Sequence, residues 1–143
     1  METKIARSAD EVWTRVRGFA ELEWYPGIES CRLDGDIRIA KMEGFDLEVD
    51  ELLVHYDDTA RTYTYAVVGF RGDTKFDVGN GQVFDLGSMT DHHRARMDVL
   101  PVDDSTCRVT YELELDPGHD EMFELTCGQY QNVIDHLRQL VER

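Results

Sequence analysis

The chain has few cysteines, few lysines and no long apolar run. Cys31, Cys107 and Cys127 are its three cysteines in 143 residues. They lie far apart in apolar or strand-like surroundings, a spacing that offers neither a disulfide framework nor a metal motif, so reduced structural thiols are expected. Lysine occurs only as Lys4, Lys41 and Lys75, and 15 basic residues stand against 30 acidic ones for a formal charge of -15. Such a surface repels nucleic-acid phosphates and anionic membranes, which excludes a nucleic-acid partner. It is also compatible with a salt-rich cytoplasm, although solubility alone accounts for it. No stretch of eighteen apolar residues occurs and Met1 to Ser8 holds no apolar run. Neither a membrane span nor a signal peptide is expected, and a cytoplasmic protein follows. Ser-His-Asp ordering, nucleophile elbow and dinucleotide fingerprint are missing, and Gly79-Asn80-Gly81 lacks the following helix that a phosphate site requires. His92 and His93, adjacent on a strand, point to opposite faces, so neither metal nor cofactor is expected.

What is present suits a single domain over residues 1–143, long enough to bury roughly two thirds of its unfolded surface. The longest regular pattern is Glu121 to Glu142, where Phe123, Cys127, Tyr130, Ile134, Leu137 and Val141 recur at helical spacing, widened by Met122, Val133 and Leu140. Asp120 can cap this helix, Pro117 and Gly118 separate it from what precedes, and Arg138 and Arg143 suit its negative end. Near the start, Ser8-Ala9-Asp10-Glu11 reads as a capping box after a strand at about Thr3 to Arg7. It opens a helix with Val12, Trp13, Val16 and Phe19 on one side that stops near Gly18 to Ala20. Pro26 and Gly27 then force a bend that leaves Trp24 and Tyr25 at its corner.

From Ile28 the period becomes two. Runs at Ile28 to Leu33, Ile37 to Met42, Phe45 to Tyr56, Arg61 to Val68, His92 to Leu100 and Thr106 to Leu115 are joined by polar or glycine-containing turns, which predicts an antiparallel meander of seven strands with the N-terminal piece. Between Gly69 and Asp91, Lys75 to Val78 and Gln82 to Leu86 flank the Asn-Gly turn and read as an extra hairpin, either a ribbon over a cavity mouth or an extension of the sheet. Alternation sorts the faces. Leu47, Val49, Glu51, Leu53 and His55 point inward from the fourth strand, Tyr63, Tyr65 and Val67 from the next, and His93, Ala95, Met97 and Val99 from the sixth. Cys107, Val109, Tyr111, Leu113 and Leu115 do so from the last.

The series strand, two short helices, six antiparallel strands and long final helix resembles the helix-grip fold of the START and birch-pollen-allergen (SRPBCC) superfamily. The stretches Ser8-Ala9-Asp10-Glu11-Val12-Trp13 and Phe19-Ala20-Glu21-Leu22-Glu23-Trp24-Tyr25-Pro26-Gly27-Ile28, with Gly44 to Leu53 and Asp57 to Tyr65, are similar to its polyketide cyclase/dehydrase-like branch. The resemblance implies an α+β fold in which a curved seven-stranded sheet wraps the C-terminal helix around a cavity. Members use that cavity to bind hydrophobic small molecules, and a minority use it for catalysis. A shortened first strand and the Gly69 to Asp91 insertion depart from the pattern.

An inward carboxylate at Glu51 needs a partner. If Glu43-Gly44 is a two-residue turn, Arg38 falls opposite Val49 and diagonal to Glu51 on the same face, giving either a structural ion pair or a polar anchor at a cavity floor. Two functions are expected. One is non-covalent binding of a lipid- or polyketide-like, hydrophobic or aromatic molecule, with Trp24, Arg38, Glu51, Tyr63, Tyr65, Met97, Tyr111, Tyr130 and Ile134 around it. The other is a cofactor-free cyclase, aromatase or dehydratase using Glu51 or His93 as base and the Tyr65 hydroxyl to stabilise an enolate. A monomer or homodimer is expected.

Overall fold

The structure, a computed structural model, describes residues 1–89, 93–116, 118 and 120–143. His92 and Pro117 lie outside the described residues. Strand β1 (Glu2–Ile5) leads into helix α1 (Ala9–Val16), with Ser8 as its cap: the Glu11 amide donates to the Ser8 hydroxyl at 3.2 Å, and that hydroxyl donates to the Glu11 carboxylate at 3.1 Å. Glu11 therefore closes the box on the Ser8 side chain rather than on its amide. In place of a second short helix, the described chain makes turns through Phe19 to Tyr25, closed by Glu21 N to Gly18 O and Tyr25 N to Leu22 O.

The remaining strands are β2 (Ile28–Asp34), β3 (Ile37–Met42), β4 (Leu47–Asp57), β5 (Thr62–Gly72), β6 (Lys75–Gly79), β7 (Gln82–Asp85), β8 (Arg94–Asp103) and β9 (Thr106–Glu114), followed by helix α2 (Asp120–Val141). Six of them join β1 in one seven-stranded antiparallel sheet in the order β1-β9-β8-β5-β4-β3-β2, and β6 with β7 forms a separate ribbon. The sheet grips α2, which is the helix-grip architecture. The insertion is thus a ribbon rather than a widening of the main sheet, and the Phe76 ring meets the Phe45 ring edge-on at 5.2 Å.

Two local irregularities move side chains from their expected positions. Register slips between Leu53 and His55, where Leu53 pairs with Tyr65 but His55 with Thr64. Val54 is the extra residue, and one extra residue reverses the alternation beyond it. His55, expected inside, is therefore exposed, while Tyr56 turns back to stack on Tyr63 with ring centroids 6.5 Å apart. The link from β3 to β4 is four residues long, not two, so Arg38 pairs directly with Glu51 and Ala40 with Val49. A two-residue slip preserves parity, and Arg38 and Glu51 still share the inner face.

Along α2 the buried positions are Met122, Thr126, Tyr130, Val133, Ile134 and Leu137. Phe123, expected in the stripe, is 39 % exposed, and Thr126 takes the buried place. Burial of that hydroxyl is tolerated because it donates to Met122 O at 2.8 Å. Asp120 is the first residue of the helix rather than its cap. Among the described residues no helix is long and apolar enough to cross a membrane.

Candidate functional site

Toward the C-terminal end of α2 the packing is closed: Ile134 and Leu137 are fully buried in the core cluster that also holds Met97, Val99, Val109 and, from α1, Val12 and Val16. Toward its N-terminal end, helix and sheet part to leave a cavity of about 100 Å³. Its walls are Arg38, Ala40 and Met42 from β3, Val49 and Glu51 from β4, Tyr65, Val67 and Phe70 from β5, and Thr126, Gln129 and Tyr130 from α2. His93 before β8, Leu86 after the ribbon, and Leu22, Tyr25 and Ile28 around the bend complete them.

Of the side chains expected around a ligand, Arg38, Glu51, Tyr65, His93 and Tyr130 reach this cavity, and Trp24, Tyr63, Met97, Tyr111 and Ile134 do not line it. Tyr63 packs among Trp13, Phe19 and Tyr56 beneath α1, while Met97 and Ile134 belong to the closed end. At the bend, Trp24 is a core plug only 1 % exposed, and its neighbour Tyr25 lines the cavity instead. Tyr25 was expected with Trp24 at the entrance, whereas Leu22, Ile28, Ala40, Met42, Phe70, Leu86, Thr126 and Gln129 were not foreseen as lining residues. Alternation already placed Val49 and Val67 inward. Phe70 joins them because Val68 is an extra residue between the pairs Glu51–Val67 and Asp50–Gly69, a bulge with no signature in the sequence.

The floor is an ion pair. Arg38 Nε donates to Glu51 Oε1 at 2.9 Å, its Nη2 lies at 2.9 Å from the same oxygen, and its Nη1 donates to Phe19 O at 2.7 Å. The guanidinium is held between two rings, 4.2 Å from the Phe19 centroid and 4.7 Å from that of Tyr65. Arg38 is 2 % exposed and Glu51 9 %, so the charges compensate one another away from water. Burial raises the Glu51 carboxyl above its ordinary value, against the pull of Arg38. Both Arg38 contacts fall on Oε1, and among the described residues no hydrogen bond to Oε2 is seen.

Above that floor runs a chain of hydroxyls. Tyr65 and Tyr111 approach to 2.5 Å, Tyr65 donates to Tyr130 at 3.3 Å, and Tyr130 meets Nε2 of His93 at 3.1 Å. Tyr111 does not itself line the cavity but stands directly behind the wall, bonded to Tyr65 and with its ring centroid 4.5 Å from that of Tyr130. Burial raises the phenols of Tyr65, Tyr111 and Tyr130 and lowers His93 to about 4, so near neutral pH all four are uncharged. Burial likewise raises Tyr25, with Tyr130 and Glu51 adding to the effect. His93 Nδ1 is buried with no hydrogen-bond partner among the described residues. No group of three or more His, Cys, Asp or Glu side chains among the described residues converges as a metal site would require. The cavity therefore offers apolar walls, a compensated ion pair and one unpaired ring nitrogen.

The sequence profile described as polyketide cyclase/dehydrase and lipid transport matches residues 1–142. No curated protein matches the chain significantly. Among solved structures, an uncharacterized protein from Bacillus thuringiensis superposes with a TM-score of 0.79 at 20% identity, covering 100% of this chain and 97% of the other. Norcoclaurine synthase from Thalictrum flavum, solved in complex with dopamine and hydroxybenzaldehyde, gives 0.63 at 22% identity over 99% of this chain and 83% of the enzyme. A START superfamily protein from Mycobacterium smegmatis gives 0.61 at 13% identity over 99% and 96%. At these identities the structures establish a shared fold, whereas the profile spans nearly the whole sequence. The chain belongs to the polyketide cyclase/dehydrase and lipid-transport family.

Proposed function

We propose that the protein binds a small hydrophobic or aromatic molecule in the cavity between sheet and C-terminal helix. One observation carries this reading: Arg38 is bonded to Glu51, and Tyr65, Tyr130 and His93 to one another, and the space they leave is surrounded by Leu22, Ile28, Met42, Val49, Val67, Phe70 and Leu86. Burial of apolar ligand surface supplies affinity, and the few polar groups set orientation. About 100 Å³ is less than the roughly 150 Å³ of an engineered dry cavity that accepts benzene. A short branched chain is the matching guest of the space as it stands, and a single ring or longer ligand has to widen it.

The test is a titration of the full chain with ethylbenzene and acetophenone, followed in amide correlation spectra. Saturable shifts at Tyr25, Thr126, Gln129 and Val67 are expected. No saturable change with either probe up to its solubility limit would refute the reading.

The unpaired nitrogen of His93 supports a second reading, a cofactor-free cyclase, aromatase or dehydratase-type enzyme. The other candidates count against it. Glu51 is held by Arg38, and Tyr65 is engaged by Tyr111 and Tyr130. With His93 lowered to about 4, its ring is a weak base. Exchange of the α-protons of acetophenone in deuterated buffer decides the matter. A protein-dependent acceleration lost in His93→Phe would support an enzyme, and exchange at the buffer rate would remove His93 as a base.

A further inference from the structure

We propose that the cavity selects an uncharged ligand presenting a hydrogen-bond acceptor to Nδ1 of His93, a ketone, aldehyde or ester rather than a carboxylate. This deepens the binding reading above and rests on it.

The hydroxyl chain has a direction. Tyr65 donates its single proton to Tyr130, so at 2.5 Å it must accept from Tyr111. Tyr130, having accepted from Tyr65, has its own proton left for Nε2 of His93 at 3.1 Å. The opposite direction would leave the buried Tyr130 proton without an acceptor among the described residues, so the structure assigns Nε2 as the acceptor, and a neutral imidazole whose Nε2 accepts carries its proton on Nδ1. That Nδ1 is buried without a partner among the described residues, on a residue 8 % exposed that forms part of the cavity wall. Protonation of the ring is opposed by burial, which keeps this tautomer uncharged. Three tyrosines thus fix a buried N–H donor, without a partner among the described residues, in a largely apolar wall. A buried donor left unmade is costly, and a carbonyl oxygen within reach would remove that cost.

Charge decides between acceptors. Arg38 is the cation in the wall, and its Nε, Nη1 and Nη2 all face Glu51 or the Phe19 carbonyl. A carboxylate ligand would therefore enter a low-dielectric space with no uncommitted positive partner and with Glu51 nearby, and would lose its hydration without compensation. A carbonyl loses far less.

Acetophenone, ethylbenzene and benzoate are matched in size and differ in the group offered to His93. Their dissociation constants are measured at pH 7 for the full chain and for His93→Phe. The ratio of acetophenone to ethylbenzene affinity is expected to fall about tenfold in the variant, the worth of roughly one hydrogen bond; the probes' different hydrophobicities cancel between the two proteins. Benzoate is expected to bind the natural chain at least tenfold more weakly than acetophenone. An unchanged ratio in a folded variant, or benzoate binding as tightly as acetophenone, overturns the selection while leaving the binding reading standing. Failure of all three probes overturns the binding reading and the selection with it. Ring-nitrogen NMR of the natural chain needs no variant: His93 protonated on Nδ1 is expected, and a ring protonated on Nε2 overturns the proposal.

Discussion

Glu51→Gln isolates the ion pair at the cavity floor. The substitution keeps shape and removes charge, leaving the guanidinium of Arg38, a residue 2 % exposed, beside the Phe19 carbonyl, two aromatic faces, the Tyr63 hydroxyl and a neutral amide, with no compensating charge on Glu51. Breaking a buried pair from one side costs about 3–5 kcal/mol, because the remaining charge stays buried without compensation. For a domain of this size that corresponds to a fall in Tm of roughly 10 °C. Removing both charges, in Arg38→Met combined with Glu51→Leu, is expected to recover at least half of the loss. The Phe19 carbonyl, left without its donor, accounts for the rest. Urea melts followed by the fluorescence of Trp13 and Trp24, both buried, measure the three proteins. A double variant no more stable than the single one, or a single variant within about 0.5 kcal/mol of the natural chain, would refute the view that uncompensated charge is what the pair prevents.

Three further outcomes are expected. His93 is lowered from 6.5 to about 4, so its contribution to stability is fully present above pH 6.5 and is lost as pH falls toward 4; the unfolded chain binds the extra proton in that window, for about 3 kcal/mol in total. Urea midpoints at pH 7 and pH 4.5 should separate more for the natural chain than for His93→Phe, and parallel losses would remove His93 from the pH response. Gly72 has φ +104°, and a Cβ built there would lie 2.1 Å from the Asp46 carbonyl oxygen, so Gly72→Ala should cost more than about 1 kcal/mol; an unchanged thermal midpoint would contradict that close approach. Leu86 N already bonds Thr74 O at 2.9 Å, so replacing Lys75–Asp85 by a short glycine linker should leave the main sheet folded and speed acetophenone exchange, with identical on and off rates ruling out the ribbon as a cover for the cavity.

Local and periodic features were legible in the amino-acid order. The helix spacing of α2, the cap at Ser8, the alternation of β9 and the Asn-Gly ribbon depend on neighbours within a few residues, where steric and hydrogen-bond preferences act directly. The Arg38–Glu51 pair was legible for a subtler reason: the expected turn was two residues too short, and a shift of two leaves both side chains on the same face. A shift of one does not, and the extra residue at Val54 carried His55 to the solvent. Tertiary packing alone decided the rest. It set Tyr25 rather than Trp24 against the cavity and exchanged Phe123 for Thr126 on the buried stripe. It also gathered Tyr65, Tyr111, Tyr130 and His93 from three strands' worth of chain and a helix into one hydrogen-bonded line. Those contacts join residues up to 65 positions apart, and no local periodicity encodes where a helix and a curved sheet part company.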